Sequence, residues 1–195
     1  MRLQHPLFPL RTPPLFVIAS LGLGVAFVVA ASAAAGAAAV APTSCTVITR
    51  AEAGEALGGQ KVTAPARGRA FVEGGVACVF YGPNAPKGVS ADVPVSDSVR
   101  VVLVSGSKAK FYFDDYRARV RARPLSGLGN EAFYDGFGSV SVLKGHYYVR
   151  IAVLGVRNPL AAEKKLAGDA LRRLTTTRQR QHRLRAVVAG PPQRK

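Results

Sequence analysis

The chain is short of the residues from which most active sites are built. It has two cysteines, three histidines and eleven acidic residues in 195 positions. His5 stands near the start, His182 near the end, and His146 has no second histidine, cysteine or spaced carboxylate beside it. That pattern lacks the ligand spacing of a metal site. Asp114 and Asp115 are adjacent on a segment with helical periodicity. Side chains about 100° apart on a helix cannot converge on one substrate atom. No acid–base pair, activated nucleophile or metal constellation emerges, so the expectation is a protein that is not an enzyme and holds no cofactor.

Charge is missing from one long stretch. Leu15 to Ala41 contains no charged side chain, is preceded by Arg2 and Arg11, and is followed by Pro42. A positive flank, an apolar centre and an Ala-rich exit form the signature of an export leader. Two readings of residues 1–41 stand. In one, cleavage follows an A-x-A site such as Ala33-Ala34-Ala35 or Ala37-Ala38-Ala39; Ala39-Val40-Ala41 is disfavoured because Pro42 comes next. In the other, the segment stays as a single membrane anchor with its arginines on the cytoplasmic side. Both place the rest of the chain outside the cytoplasm, secreted or anchored. Lipid attachment at Cys45 is not expected, because Pro42-Thr43-Ser44 is not a leucine-led box of small residues.

The two cysteines, Cys45 and Cys78, both lie beyond the leader. An even pair in an oxidising compartment reads as one disulfide. The remaining ~150 residues suit one domain with a single core. Acidic residues fall only between Cys45 and Leu171, where seventeen basic residues leave a net +6. From Arg172 onward there are eight basic residues and no acid. Residues 177–195 read as a basic, disordered tail. Within the acid-free stretch, Arg172, Arg173, Arg178, Arg180, Arg183 and Arg185 are the candidate contacts to anionic lipid or wall polymer. The excess of arginine over lysine, 19 to 8, also fits a GC-rich genome, so part of this basicity reflects codon usage.

Thr49-Arg50-Ala51-Glu52 is a capping box opening a helix to Leu57, stopped by Gly58-Gly59. Strands are expected at 69–72, 76–81 and 99–104, with a Pro/Gly/Ser-punctuated connection over 82–98. Residues 108–121 have helical spacing, with Ala109, Phe113, Tyr116 and Val120 on one stripe, and Pro124 ends them. Strands at 131–135, 139–144 and 146–154 form an antiparallel meander. A last helix begins at Pro159 and buries Leu160, Ala167, Leu171 and Leu174; its apolar periodicity fades beyond Thr175. This order predicts an α+β domain, residues 45–176, with helices packed on an antiparallel sheet.

Three tempting motifs fail on context. Gly127-Leu128-Gly129-Asn130-Glu131-Ala132 spells G-x-G-x-x-A, but it leaves a helix and enters a strand, the reverse of a dinucleotide loop. Arg67 to Gly74 overlaps an RNA-recognition strand but has Arg69 and Gly74 where stacking aromatics belong, so no nucleic-acid partner is expected. Ser105-Gly106-Ser107-Lys108 matches S-x-x-K without its companion elements, and Ser107 is better read as a helix cap.

Cys45 to Gly59, Cys78-Val79-Phe80-Tyr81 and Leu125 to Tyr134 together resemble a family of secreted proteins and lipoproteins of GC-rich Gram-positive (actinobacterial) bacteria, known only as a domain of unknown function. In that family a cysteine precedes a capped helix ending in L-G, a second cysteine lies in an early strand, and G-L-G-(D/N)-E-A-(F/Y) leads into the later sheet. The resemblance spans about Cys45 to Leu174. It implies an extracytoplasmic α+β domain with a Cys45–Cys78 bridge; many members are lipid-anchored, which the residues before Cys45 do not support here. No catalytic residue carries over. The expectation is an exported cell-envelope domain that binds a protein or small-molecule ligand, with Tyr147, Tyr148 and Arg150 flanking a shallow site. The alternatives are an anchored surface protein whose tail docks on anionic lipid or wall polymer, and an envelope hydrolase.

Overall fold

Helix α1, Arg50–Ala56, starts where the capping box places it. The Thr49 backbone N–H donates to the Glu52 carboxylate at 2.7 Å, and the Glu52 N–H donates back to Thr49 Oγ1 at 3.2 Å. Gly58 and Gly59 then take positive φ, which ends the helix. The computed structural model describes residues 41–189. The leader, with its choice between cleavage and anchoring, lies outside them up to residue 40. Among the described residues no helix is long and apolar enough to cross a membrane.

Seven strands follow in one antiparallel sheet: β1 Ala66–Ala70, β2 Gly75–Tyr81, β3 Ser98–Ser105, β4 Arg123–Pro124, β5 Glu131–Tyr134, β6 Ser139–Lys144 and β7 Tyr147–Leu154. Their order across the sheet is β1-β2-β3-β7-β6-β5-β4. Helices α2, Lys108–Arg119, and α3, Leu160–Ala189, complete the α+β fold. The meander β5-β6-β7 is as read from its turns. Three details differ from expectation. The first strand starts three residues before the expected 69–72 and ends two residues sooner, because Phe71 to Gly74 form the turn. The two-residue β4 has too little periodicity to be seen in sequence. Ser107 occupies the cap position of α2, but its hydroxyl makes no cap hydrogen bond.

The sheet separates two cores by the period-two rule. On one face Val99, Val101, Leu103, Val149, Ile151 and Val153 pack with Ala53 of α1, with Leu57 just after it, and with Leu166, Ala170 and Leu174 of α3. The Cys45–Cys78 disulfide ties the segment before α1 to β2 beside this core. Ser44 reinforces it, its hydroxyl donating to the Val76 carbonyl at 2.6 Å and accepting the Leu103 N–H at 2.9 Å. On the other face Val104, Leu143, Phe133 and Tyr148 lie beneath Ala109, Phe113 and Tyr116 of α2. Phe113 sits 5.1 Å from Phe133 and 5.6 Å from Tyr148, ring centre to ring centre. Tilted and edge contacts of this kind add ~1 kcal/mol each beyond burial.

Glu163, in the first turn of α3, is fully buried against β7. One carboxylate oxygen accepts the Val153 N–H at 3.1 Å and the other has no partner. Desolvation pushes its pKa up to about 7, from 4.5. The folded state therefore holds this proton more tightly than the unfolded chain does. Stability is greatest below the unfolded value and is lost as pH rises from 4.5 through about 7, by roughly 3 kcal/mol in full. Glu163→Gln keeps the acceptor and removes the charge. We expect it to stabilise the domain by about 2–3 kcal/mol at pH 8 and to be near neutral at pH 4. Urea unfolding at the two pH values checks this; an equal effect at both would contradict it.

Candidate functional site

Along β3 and β7 the face beneath α2 changes character in steps of two residues. The register pairs Val104 with Tyr148, Val102 with Arg150 and Arg100 with Ala152; on β6 the matching residues are Leu143, Ser141 and Ser139. Successive rows are ~6.8 Å apart. The first row is apolar and covered by α2, while the other two carry the arginines, serines and small residues. These rows are roofed instead by the turn Phe71–Gly74 and by the 82–97 connection. Gly68 lets that connection lie flat on β1, since a Cβ there would run into the backbone of Ala91 and Asp92. The Arg69 N–H on the edge strand donates to the Asp92 carboxylate at 2.5 Å.

Arg150 is the centre of a saturated network. Its Nε donates to Ser139 Oγ at 2.7 Å and one Nη to Asp135 at 3.1 Å, and the other Nη is paired with Glu73. The guanidinium carbon also lies 4.1 Å from the centre of the Tyr116 ring. Asp135, fully buried, accepts from Tyr116 Oη at 2.7 Å, from the Phe137 and Ser139 N–H groups at 2.8 and 3.0 Å, and from Ser139 Oγ. Burial would raise the Asp135 pKa, but these donors outweigh it and hold the carboxyl below the usual aspartate range. Burial likewise pulls Arg150 down, and Glu73 leads the surrounding groups that more than reverse it. Two carboxylates and one guanidinium thus satisfy one another.

Arg100 is different. It is 7% exposed and lies within 4 Å of no carboxylate among the described ion pairs. One Nη donates to two backbone carbonyls, Arg69 at 2.9 Å and Asp92 at 3.3 Å, while Nε has no partner. Its pKa lies below the ordinary guanidinium value. Burial is the main cause and the neighbouring Arg150 adds to it, against the attraction of Glu73 and Asp92. Arg100 lines a cavity of about 140 Å³ together with Arg150 and Glu73; Phe71, Val72 and Pro94 form apolar walls. Phe71 is 71% exposed, with Arg69 5.8 Å from its ring centre. The cavity therefore offers a buried guanidinium without a contacting carboxylate beside apolar contact surface.

The residues singled out in the sequence go elsewhere. Tyr148 is core, Tyr147 points to the opposite face, and of that trio only Arg150 reaches the cavity. Arg173 holds α3 to α1, donating to the Val47 carbonyl at 2.9 Å and to Glu52 at 2.6 Å. Arg172 is paired with Asp169. Arg178, Arg180, Arg183 and Arg185 lie on α3, whose helical backbone runs to Ala189, past the point where a disordered tail was expected. The residues beyond Thr177 include Gln, Leu, Arg and Ala with no Gly or Pro before Gly190, a composition that favours helix even without an apolar stripe. The G-L-G-N loop is structural: Gly127 and Gly129 take positive φ, and Asn130 Oδ1 accepts the Gly145 N–H at 2.7 Å. Among the described residues no cluster of His, Cys, Asp and Glu is placed to hold a metal.

Sequence reasoning missed Arg100 and Glu73. The available signal was a lone cation inside the β-branched run 99–104, since arginine is rarely buried without a partner. Comparison with protein-family models, with curated proteins and with solved structures finds no match to this chain.

Proposed function

We propose that this is an exported cell-envelope domain that works by binding, not by catalysis, and that it binds on the sheet face roofed by Phe71–Gly74. The single observation behind this is Arg100, buried beside a cavity with one donor unmatched. Export is supported by the leader motif and by a disulfide, which persists in oxidising compartments. The absence of catalysis is supported by Ser139 beside Arg150, which is buried and bonded to Asp135 and Arg150 and so is not free to act as a nucleophile. Membership of the actinobacterial family remains part of the same proposal. Hydrogen exchange on the full oxidised chain, with and without the small-molecule fraction of the host envelope, tests it. We expect new protection over residues 66–73 and 90–95. Unchanged exchange there would contradict the reading.

One observation favours a second reading. Leu174 is the last core residue of α3 among the described side chains, and the helix carries Arg178, Arg180, Arg183 and Arg185 onward to Ala189. A basic segment of this kind suits an anionic lipid or wall polymer. Co-sedimentation with anionic vesicles that falls steeply with salt, and is lost on truncation after Thr177, would support it.

A further inference from the structure

We propose that the Arg100 cavity is the site for a small monocarboxylate with a short apolar chain, its carboxylate on the Arg100 guanidinium and its chain against Phe71, Val72 and Pro94. The inference rests on the reading of this face as the binding surface and specifies its ligand. Three observations converge on that chemistry.

The first is the hydrogen-bond balance of Arg100. A guanidinium has five N–H donors in a planar fork that matches a carboxylate. Here one Nη serves two carbonyls and Nε serves nothing, although the residue is nine-tenths buried. A buried donor without an acceptor is costly, and a bound carboxylate removes that cost.

The second is charge. Arg150 is matched by Glu73 and Asp135, so Arg100 is the one guanidinium of the cavity without a contacting carboxylate. The lining as a whole carries two guanidinium groups, Arg100 and Arg150, and two carboxylates, Glu73 and Asp92, so what Arg100 lacks is a contacting anion and not a balancing charge. A monoanion on Arg100 adds a single negative charge to that balance, whereas a dianion such as sulfate would add two beside two carboxylates.

The third is shape. About 140 Å³ is the room of roughly five waters, enough for a carboxylate and a few methylenes. Phe71 and Val72 are exposed on the turn, where an apolar chain would cover them.

Amide chemical shifts of the full oxidised chain, titrated separately with pentanoate, acetate, 1-pentanol and sulfate, test the proposal. Pentanoate is expected to saturate shifts in residues 69–73, 92–94 and 100–102. Acetate should bind the same residues more weakly, and pentanol and sulfate weaker still. Arg100→Met should reduce pentanoate affinity at least about tenfold, as expected for loss of a charged hydrogen-bond partner. If that variant fails to fold, Phe71→Ser on the exposed turn provides the test, because it should erase the advantage of pentanoate over acetate. Equal shifts from pentanol and pentanoate would overturn the carboxylate and leave the binding face standing. Sulfate binding as tightly as pentanoate would overturn the monoanion assignment. No shift from any probe would overturn the inference, and the envelope-fraction exchange experiment would then decide the broader reading alone.

Discussion

Asp135→Ala is expected to destabilise the domain by about 3–5 kcal/mol, the range for removing one partner of a buried ion pair. The carboxylate holds Arg150, Tyr116, Ser139 and two backbone N–H groups at once. Without it, Arg150 keeps only Glu73 as a counter-charge, and the Tyr116 hydroxyl loses its acceptor inside the α2 core. Asp135→Asn should cost less, since an amide oxygen still accepts the two N–H groups that close the turn before β6. The folded pKa of Asp135 lies below its unfolded value, so its contribution is present above the ordinary aspartate range and is lost as pH falls through the folded pKa. The gap between wild type and variant should therefore narrow in acid. Chemical unfolding of both at pH 7 and in acid measures it, and a loss below about 1 kcal/mol at pH 7 would show that the network carries little stability.

Reduction of the Cys45–Cys78 bridge is the second large effect. The bond closes a loop spanning 33 positions of sequence, which corresponds to roughly 3–4 kcal/mol on the chain-entropy account. For a domain of this size that lowers Tm by about 10 °C. The loss should concentrate on α1, because the bridge and Ser44 are what hold its leading segment to β2 and β3. Thermal unfolding with and without dithiothreitol checks the magnitude. A shift within about 2 °C would mean that packing of Val47, Ile48 and Leu57 alone holds that segment.

Much of this architecture is readable from local signals. Thr49 and Glu52 announce α1, glycine turns bound β5, β6 and β7, and the stripe Ala109, Phe113, Tyr116 gives the buried side of α2. Such features depend on near neighbours in sequence. The cavity does not. Arg100 and Arg150 belong to strands 50 residues apart and meet only because β3 pairs with β7, which no periodicity reveals. Glu73 joins them from the turn after β1, and nothing local in sequence shows that this turn folds back over β3 and β7. The helix past Thr177 was not legible for a different reason. Its composition supports helix by intrinsic propensity, whereas an apolar stripe reports only helices that pack.

An acidic small molecule is proposed to sit on Arg100. Native mass spectrometry of the protein recovered from its own envelope, under non-reducing conditions, tests it most directly. The expected species is a disulfide-bonded chain carrying a small non-covalent acidic adduct, absent from Arg100→Met. An adduct of equal occupancy on both proteins, or none on either, would contradict it.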